Sequence, residues 1–330
     1  MRRSQGAVRA DSTATGIPRT TQGIAKKTCD VLRMLSALHS VVVDVRDFEV
    51  AVRDYARLLG ITPLRFEFNA ARGTRSAHFA LVNTVLELRA AAGTDGGTAT
   101  GGGEASGDPK FGQAGFRLVC EDDAPAVVLA ARGVLVASSE DEEAVFVDEQ
   151  GRRRWRTHRI DPKSSRGLPV ELISGETIES SGKRTEGASS VAPAARIRGL
   201  DHVVVMSPDP EGTLAFYREG LGLRLALDQS FPERAVRLLF FRVGGTTIEI
   251  GARLGVGPRP DHFDRFGGLA WQVVEIDAIR ARLAGDGFDV SEIRDGNKPG
   301  TRVCTVRDPV HDVPTLLIEP VSVGAPGRRR

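Results

Sequence analysis

The hydrophobic and polar positions of this chain switch between two periods, and the order of the periods repeats. From His39 the sequence HSVVVDVRDFEVAVRDYARLLGI gives a β-branched strand, an aspartate near a turn and an amphipathic helix. From His202 the sequence HVVVMSPDPEGTLAFYREGLGL gives the same order. Each helical pattern ends in Leu-Gly, which makes Gly60 and Gly222 the predicted C-caps.

Downstream of both helical patterns, apolar and polar residues alternate as they do in strands. The first copy continues with LRFEF, SAHFALVN and TVLELRA, and the second continues with RLALDQS, VRLLFFRVG and TTIEIGA. A weaker relative of the same unit follows each copy. The sequence therefore predicts an α+β protein made of four βαβββ units, two to a domain, over residues 37–91, 111–174, 198–253 and 265–322.

Stretches of low complexity predict the domain boundaries. Residues 1–36 hold seven Lys or Arg against two Asp and predict a disordered basic arm. A Gly-rich stretch at 90–110 predicts a flexible loop. The remaining divisions follow from composition and from the repeats: an N-terminal domain at 37–174, a linker at 175–197, a C-terminal domain at 198–322 and a solvated tail at 323–330.

Composition narrows the classes of function. Hydrophobic residues make up 41% of the 330 residues, which is enough for packed cores, and the formal net charge of +2 gives no case for nucleic acid or a membrane as the main partner. Three widely spaced cysteines predict a reducing compartment, and thus a cytoplasmic location, without a disulfide framework. We expect a small-molecule substrate. Two paired domains in one chain are compatible with a monomer, and a homodimer stays open.

One glutamate stands among aliphatic residues in the last strand of each unit. A carboxylate in an apolar strand is costly to bury unless it is paired or binds a cation. The spacing from histidine to glutamate is 48 residues in the first unit (His39 to Glu87) and 47 in the third (His202 to Glu249). The four glutamates are Glu87, Glu171, Glu249 and Glu319.

The first strands of the second and fourth units supply the remaining positions, which we assign to Gln113 and Gly268. One nitrogen donor with several oxygen donors suits a divalent ion such as Mn, Fe, Co, Ni, Zn or Mg, and a coordinated carboxylate can also act as a base. The predicted N-terminal metal set is His39, Glu87, Gln113 and Glu171, and the second candidate set is His202, Glu249 and Glu319, with a gap at Gly268.

Paired βαβββ units with a strand-start His and a strand-end Glu resemble the vicinal oxygen chelate superfamily of glyoxalase I, methylmalonyl-CoA epimerase, bleomycin resistance proteins and extradiol dioxygenases. LDHVVV, FYREGLGL and TTIEI carry most of the resemblance. It implies two glyoxalase-like domains with open, barrel-like mixed sheets around a metal. It also implies a lyase or isomerase acting on a small α-oxo or acyl substrate, with Glu171 or Glu87 as the catalytic base of a site that resembles glyoxalase I.

Two alternatives stay open. An extradiol dioxygenase resemblance would place two histidines and one carboxylate at His202, Gly268 and Glu319, but glycine cannot bind a metal, and neither His262 nor His311 is a convincing replacement. A metal-free binding or resistance protein would use the same cleft without catalysis. Further candidates for lining the cleft are Gln272, Arg237, Phe240, Phe241 and Trp271.

Overall fold

The helices and strands follow the predicted order, βαβββ four times, in a computed structural model that describes residues 34–69, 72–92, 114–145, 152–175, 188–257 and 263–320. The first half of the fold contains β1 (Leu35–Asp44), α1 (Phe48–Leu59), β2 (Arg65–Asn69), β3 (Thr74–Ala80), β4 (Val85–Ala91), β5 (Ala114–Cys120), α2 (Pro125–Ala131), β6 (Val136–Val145), β7 (Arg152–Ile160) and β8 (Val170–Ser174). The second contains β9 (Ile197–Ser207), α3 (Pro210–Leu214), β10 (Arg224–Phe231), β11 (Val236–Val243), β12 (Thr246–Arg253), β13 (Arg265–Val273), α4 (Ile276–Gly285), β14 (Arg294–Asp295), β15 (Thr301–Val310) and β16 (Val313–Pro320).

The strands form two mixed sheets with the same topology. Their orders are β2-β3-β4-β1-β5-β8-β7-β6 and β10-β11-β12-β9-β13-β16-β15-β14. Within each unit the first strand pairs in parallel with the last, and the two units of a sheet join through antiparallel β1–β5 or β9–β13. The α+β fold predicted from the repeats is confirmed.

Local sequence signals set the ends of α1. The Asp47 side chain accepts a hydrogen bond from the Val50 amide at the N-terminus, and Gly60 closes the C-terminus at a φ of 74°, which favours glycine. Five residues on one face of the helix are buried: Phe48, Ala51, Tyr55, Leu58 and Leu59. The prediction that Gly60 caps this helix is confirmed. The prediction for Gly222 is wrong by one residue, because the π-helical turn that follows α3 (Ala215–Gly220) is capped by Leu221.

The two sheets share one hydrophobic core rather than having one each. The Phe116 ring of β5 stacks on Tyr217, with 6.4 Å between centroids, and the Tyr55 hydroxyl of α1 donates to the Val310 carbonyl of β15 at 3.1 Å. β1 begins at Leu35, two residues before the predicted start of the domain. The predicted basic arm through residue 33, most of the Gly-rich loop, residues 176–187 of the linker and the tail lie outside the described residues.

The helices pack on one face of each sheet, and the opposite face forms a cleft. We call the face with Ser40, Glu87, Arg117 and Glu171 the N-terminal cleft, and the face with His202, Glu249, Ala270 and Leu316 the C-terminal cleft. The edges of each sheet approach one another. Arg72 reaches Glu140 and Glu142 across the first sheet, and Arg234 reaches Asn297 across the second. In the parts of the chain that are described, no helix has the length and apolar character needed to cross a membrane.

Candidate functional site

Strand register decides which residues of the two clefts are equivalent. Glu87 lies beside Val42, and Glu249 lies beside Val204, so these two glutamates correspond as predicted. His202 lies beside Thr247, and the residue in the same relation in β1 is Ser40, beside Val85. The equivalence of His39 with His202 was therefore wrong by one residue, and the spacings of 48 and 47 reflected that error.

The second half of each cleft corrects two more equivalences. Arg117 pairs with Glu171 in the first sheet, and Ala270 pairs with Leu316 in the second. The counterpart of Glu171 is therefore Leu316, not Glu319.

Gly115 rather than Gln113 corresponds to Gly268, since they lie beside Val42 and Val204. At both glycines an added Cβ would collide with a proline: Pro169, directly before β8, or Pro314 of β16. Gln113 itself lies outside the described residues, so its place in a metal set stays a prediction.

Arg117 occupies the centre of the N-terminal cleft, between the two predicted bases. Its Nη1 lies 2.5 Å from Glu87 Oε2, and its Nε lies 2.7 Å from Glu171 Oε2. Arg159 Nε donates to the other oxygen of Glu171 at 3.1 Å. The structure thus brings Glu87 and Glu171 together, but on a guanidinium group.

These ion pairs set the protonation of both carboxylates. Burial acts to raise the pKa of Glu171, but Arg117, Arg89 and Arg159 outweigh it and lower that pKa to about 2. Burial likewise opposes ionisation of Glu87, and Arg117 with other cations brings its pKa below the ordinary value. Both groups are ionised and paired near neutral pH, which makes them weak proton acceptors.

His39 is not in register with Glu87, Arg117 or Glu171. It lies at an irregularity in the β1–β5 pairing, between Leu38 and Ser40, and its Nδ1 is 3.2 Å from the Ser40 hydroxyl. Its counterpart in the second sheet is Asp201. The histidine that stands beside Glu87 across strands is His78, whose Nε2 lies 2.8 Å from Glu67 Oε2.

The C-terminal cleft has a carboxylate in the same place but different neighbours. The polar and charged residues around Glu87 are replaced around Glu249 by apolar residues and one hydroxyl. By strand register, Phe240 takes the place of His78, Ala270 of Arg117, Thr305 of Arg159 and Leu316 of Glu171. Glu249 therefore faces no arginine like Arg117. Burial, with a contribution from Asp201, raises the pKa of Glu249 although His202 acts to lower it.

His202 connects Glu249 to two further polar residues. Its Nδ1 donates to Asp201 Oδ1 at 2.9 Å, and its Nε2 lies 3.4 Å from Glu249 Oε2. Gln272 Nε2 donates to the other Asp201 oxygen at 3.2 Å. Because Asp201 holds the proton on Nδ1, Nε2 and Glu249 attract each other only when one of them carries a proton. The pair is suited to taking up and returning one proton.

The other sequence candidates lie elsewhere. Glu319 accepts from the Ile276 amide at the start of α4 at 3.0 Å, so it lies on the helix face of the sheet, away from His202. His311 Nε2 is 3.2 Å from Asp54 Oδ2, and its ring stacks on Tyr55 where α1 meets β15.

Four further candidates separate by face. Phe241 and Trp271 are buried in the shared core, and Arg237 pairs with Asp228 and Glu211 on the helix face, whereas Phe240 faces the C-terminal cleft. His262 lies outside the described residues.

The described donor sets do not fit a divalent metal in either cleft. In the N-terminal cleft, Arg117 and Arg159 already pair with the two carboxylates. In the C-terminal cleft, His202 and Glu249 are two donors, but Gly268 and Leu316 hold the other two positions. Throughout the part of the chain that is described, no group of three or more His, Cys, Asp or Glu side chains could hold a metal ion.

Sequence reasoning missed Arg117 and Asp201, which decide the chemistry of the two clefts. An arginine in the apolar run AGFRLVC was the available signal for Arg117, because a charge in a buried strand needs a partner. Asp201 stands directly before His202 and could have been proposed as its hydrogen-bond acceptor.

Comparison with known proteins places the chain among similar folds. The family model for the Glyoxalase/Bleomycin resistance protein/Dioxygenase superfamily matches residues 199–311. Mitochondrial methylmalonyl-CoA epimerase of Mus musculus is 31% identical over 95 residues, 28% of this chain and 53% of that protein, so the chain spans about half the length of this relative. The Bos taurus protein is 31% identical over 131 residues, 39% of this chain and 75% of that protein.

Solved structures of the same fold cover most of the chain. The Mn(II)-bound glyoxalase from Novosphingobium aromaticivorans superimposes with a TM-score of 0.56 at 17% sequence identity, over 88% of this chain and 83% of that one. At this identity the likeness concerns the fold alone, which agrees with the two sheets of four βαβββ units.

Proposed function

We propose that this chain, which belongs to the glyoxalase, bleomycin resistance protein and dioxygenase (vicinal oxygen chelate) superfamily, is an isomerase or lyase that moves a proton at the carbon next to a carbonyl. The reaction is placed in the C-terminal cleft. The observation that carries the proposal is Glu249, a largely buried carboxylate with a raised pKa, 3.4 Å from His202. A raised pKa makes a carboxylate a stronger base near neutral pH.

Each polar residue of the cleft has a defined role in this proposal. Glu249 accepts the proton from the substrate carbon, and His202 shares it and returns it. Asp201 fixes the imidazole tautomer, and Gln272 orients Asp201. Half-buried apolar side chains of Leu238, Phe240 and Leu316 border this face and suit the carbon skeleton of a small acyl or α-oxo substrate.

The shared wall of the cleft constrains the stereochemistry. His202 and Glu249 stand on adjacent strands of one sheet, so they approach a bound substrate from the same side. Removal and return of a proton on one side fits isomerisation, whereas inversion of the carbon needs a second base on the opposite side. The proposal therefore favours exchange with retention over epimerisation.

Solvent exchange tests the proposal. The protein is incubated in D₂O with a panel of acyl thioesters and α-oxo acids, with methylmalonyl-CoA as the first probe because the matched relatives are named for it. Mass spectrometry then measures deuterium at the α-carbon. We expect E249Q to lower the exchange rate by a factor of roughly 100 or more, the scale of general base catalysis.

The matched control is E87Q, the same substitution at the equivalent strand position in the other cleft. Measured at a temperature at which this variant is folded, E87Q is expected to keep the exchange rate. Equal loss in both variants, or full exchange in E249Q, would contradict the assignment of the base.

A binding protein without turnover is the second candidate function. Gly268 and Leu316 favour it, because a cleft that lacks donors at these positions can still enclose a ligand between Phe240 and the opposite strands. Saturable binding of a panel member without deuterium exchange in the wild-type protein would select this function over the first.

A further inference from the structure

Two arginines stand directly opposite each other at the margin of the C-terminal cleft. Arg224 begins β10 and pairs with Arg242 of β11, and both side chains are exposed. Like charges directly opposite in an antiparallel pair are destabilising. Neither has a carboxylate partner within the described residues, whereas Arg237, on the other face of β11, pairs with Asp228 and Glu211.

The orientation of Arg242 links this pair to the proposed reaction site. Arg242, Thr247 and His202 lie side by side on three neighbouring strands. Arg242 Nη1 donates to the Thr247 hydroxyl at 2.8 Å, so its side chain extends along this row towards His202. With strands about 4.8 Å apart, the β11 backbone is roughly 10 Å from that of β9.

The N-terminal cleft shows that the fold does not need a cation here. The residue that corresponds to Arg242 is Ala80, which pairs with Val85 beside Ser40 and is buried. The cleft whose glutamate is locked by Arg117 thus has alanine where the other cleft has Arg242. The arginine that begins β2, Arg65, lies 3.4 Å from the Glu67 carboxylate, whereas Arg224 and Arg242 have no such partner among the described residues. This difference points to a ligand rather than to stability.

A third cation lies on another side of the same cleft. Lys298 belongs to the loop between β14 and β15, and its charge helps to lower the pKa of Asp201. The loop also contains Asn297, which bonds to Arg234 beyond the end of β10. The proton-transfer residues therefore have positive charge on more than one side.

We propose that Arg224 and Arg242 bind an anionic group of the substrate, a carboxylate or a phosphate, and thereby position the carbonyl end at Glu249 and His202. The inference rests on the proposed function for the role of the remaining substrate, although anion binding itself is independent of turnover. Two guanidinium groups offer parallel N–H donors that match the oxygens of either anion. The substrate class is thus an acyl or α-oxo compound with a second, anionic end.

Calorimetric titration at one fixed ionic strength tests this pair without any reaction. The probes are malonate, inorganic phosphate and coenzyme A, and the proteins are the wild type, R224Q, R242Q and R237Q. We expect at least one probe to bind the wild type, and R224Q and R242Q each to weaken its Kd by roughly tenfold or more through the loss of charge-assisted hydrogen bonds. R237Q removes the same charge from the other face and is expected to change Kd less than about twofold.

The outcomes separate the sources of the anion and the two proposals. Binding of malonate alone identifies a carboxylate, and binding of phosphate or coenzyme A identifies a phosphate. No binding of any probe, or equal weakening by R237Q, would overturn the inference. Repeating the titration with E249Q separates the test of anion binding from the test of catalysis. Anion binding that depends on Arg242 supports this inference even if the wild type shows no deuterium exchange. Deuterium exchange without such binding supports only the proposed function.

Discussion

The same substitution at two equivalent strand positions is expected to have opposite effects on stability. E87Q removes a buried carboxylate that pairs with Arg117, whereas E249Q removes one whose ionised form is disfavoured by burial. A carboxyl group whose pKa is lower in the folded than in the unfolded state stabilises the fold above its unfolded pKa. A carboxyl group whose pKa is higher in the folded state destabilises the fold as pH rises. At pH 8 the wild-type protein therefore gains free energy of unfolding from Glu87 and loses some through Glu249.

The magnitude for E87Q follows from the environment of Arg117. Breaking a buried ion pair costs about 3–5 kcal/mol, and we expect about 3 kcal/mol because Arg117 keeps Glu171 as a partner. This loss corresponds to a fall in Tm of roughly 6–12 °C on the scale of about 2–4 °C per kcal/mol. E249Q is expected to be neutral or stabilising, since each unit of raised pKa represents about 1.4 kcal/mol against the ionised form.

Thermal unfolding followed by calorimetry at pH 8 and pH 4.5 is the assay. The gap in Tm between E249Q and wild type should shrink at pH 4.5, because Glu249 then carries its proton in a larger share of the wild-type molecules. A fall in Tm at pH 8 of similar size in both variants would refute the reasoning, since it would mean that Arg117 does not distinguish the two positions.

Three further predictions concern the same structure. R117A should lower Tm more at pH 8 than at pH 4.5, because it leaves the buried Glu87 without its cation and Glu171 with Arg159 alone, and R117A/E171L should recover part of the loss in calorimetry. Wild-type stability in urea should decline as pH falls from 4.5 towards 2, since Glu171 has a folded pKa of about 2 and an unfolded value near 4.5, and E171Q should flatten this decline. Y55F should cost about 1–3 kcal/mol in urea unfolding, because the Val310 carbonyl then loses its donor, and no change would indicate that water replaces it.

Much of the fold could be predicted from the chain because its signals are local. The change from helical to alternating periodicity and the cap at Gly60 depend on neighbouring residues only, and the structure agrees with both. Glu87 and Glu249, in the last strands of the first and third units, were also placed correctly relative to each other, because these two units have nearly the same length.

The chemistry of the clefts could not be predicted in the same way. Side chains alternate across a strand, so an error of one residue moves a side chain to the other face. This is why His39 was matched to His202 although Ser40 holds that position, and why Glu319 was grouped with residues that face away from it. The alignment of sequence repeats does not fix strand register. Register is set by hydrogen bonding between strands that are distant in sequence and by irregularities such as the one after Leu38.

The sequence by itself determined four βαβββ units and a carboxylate in the last strand of each. The tertiary structure alone decided which of the two cleft carboxylates has a lowered pKa and which a raised one, because that depends on the residue beside them two strands away. Arg117 stands there in the first sheet and Ala270 in the second. Arg117, together with other cations, lowers the pKa of Glu87, whereas burial raises the pKa of Glu249.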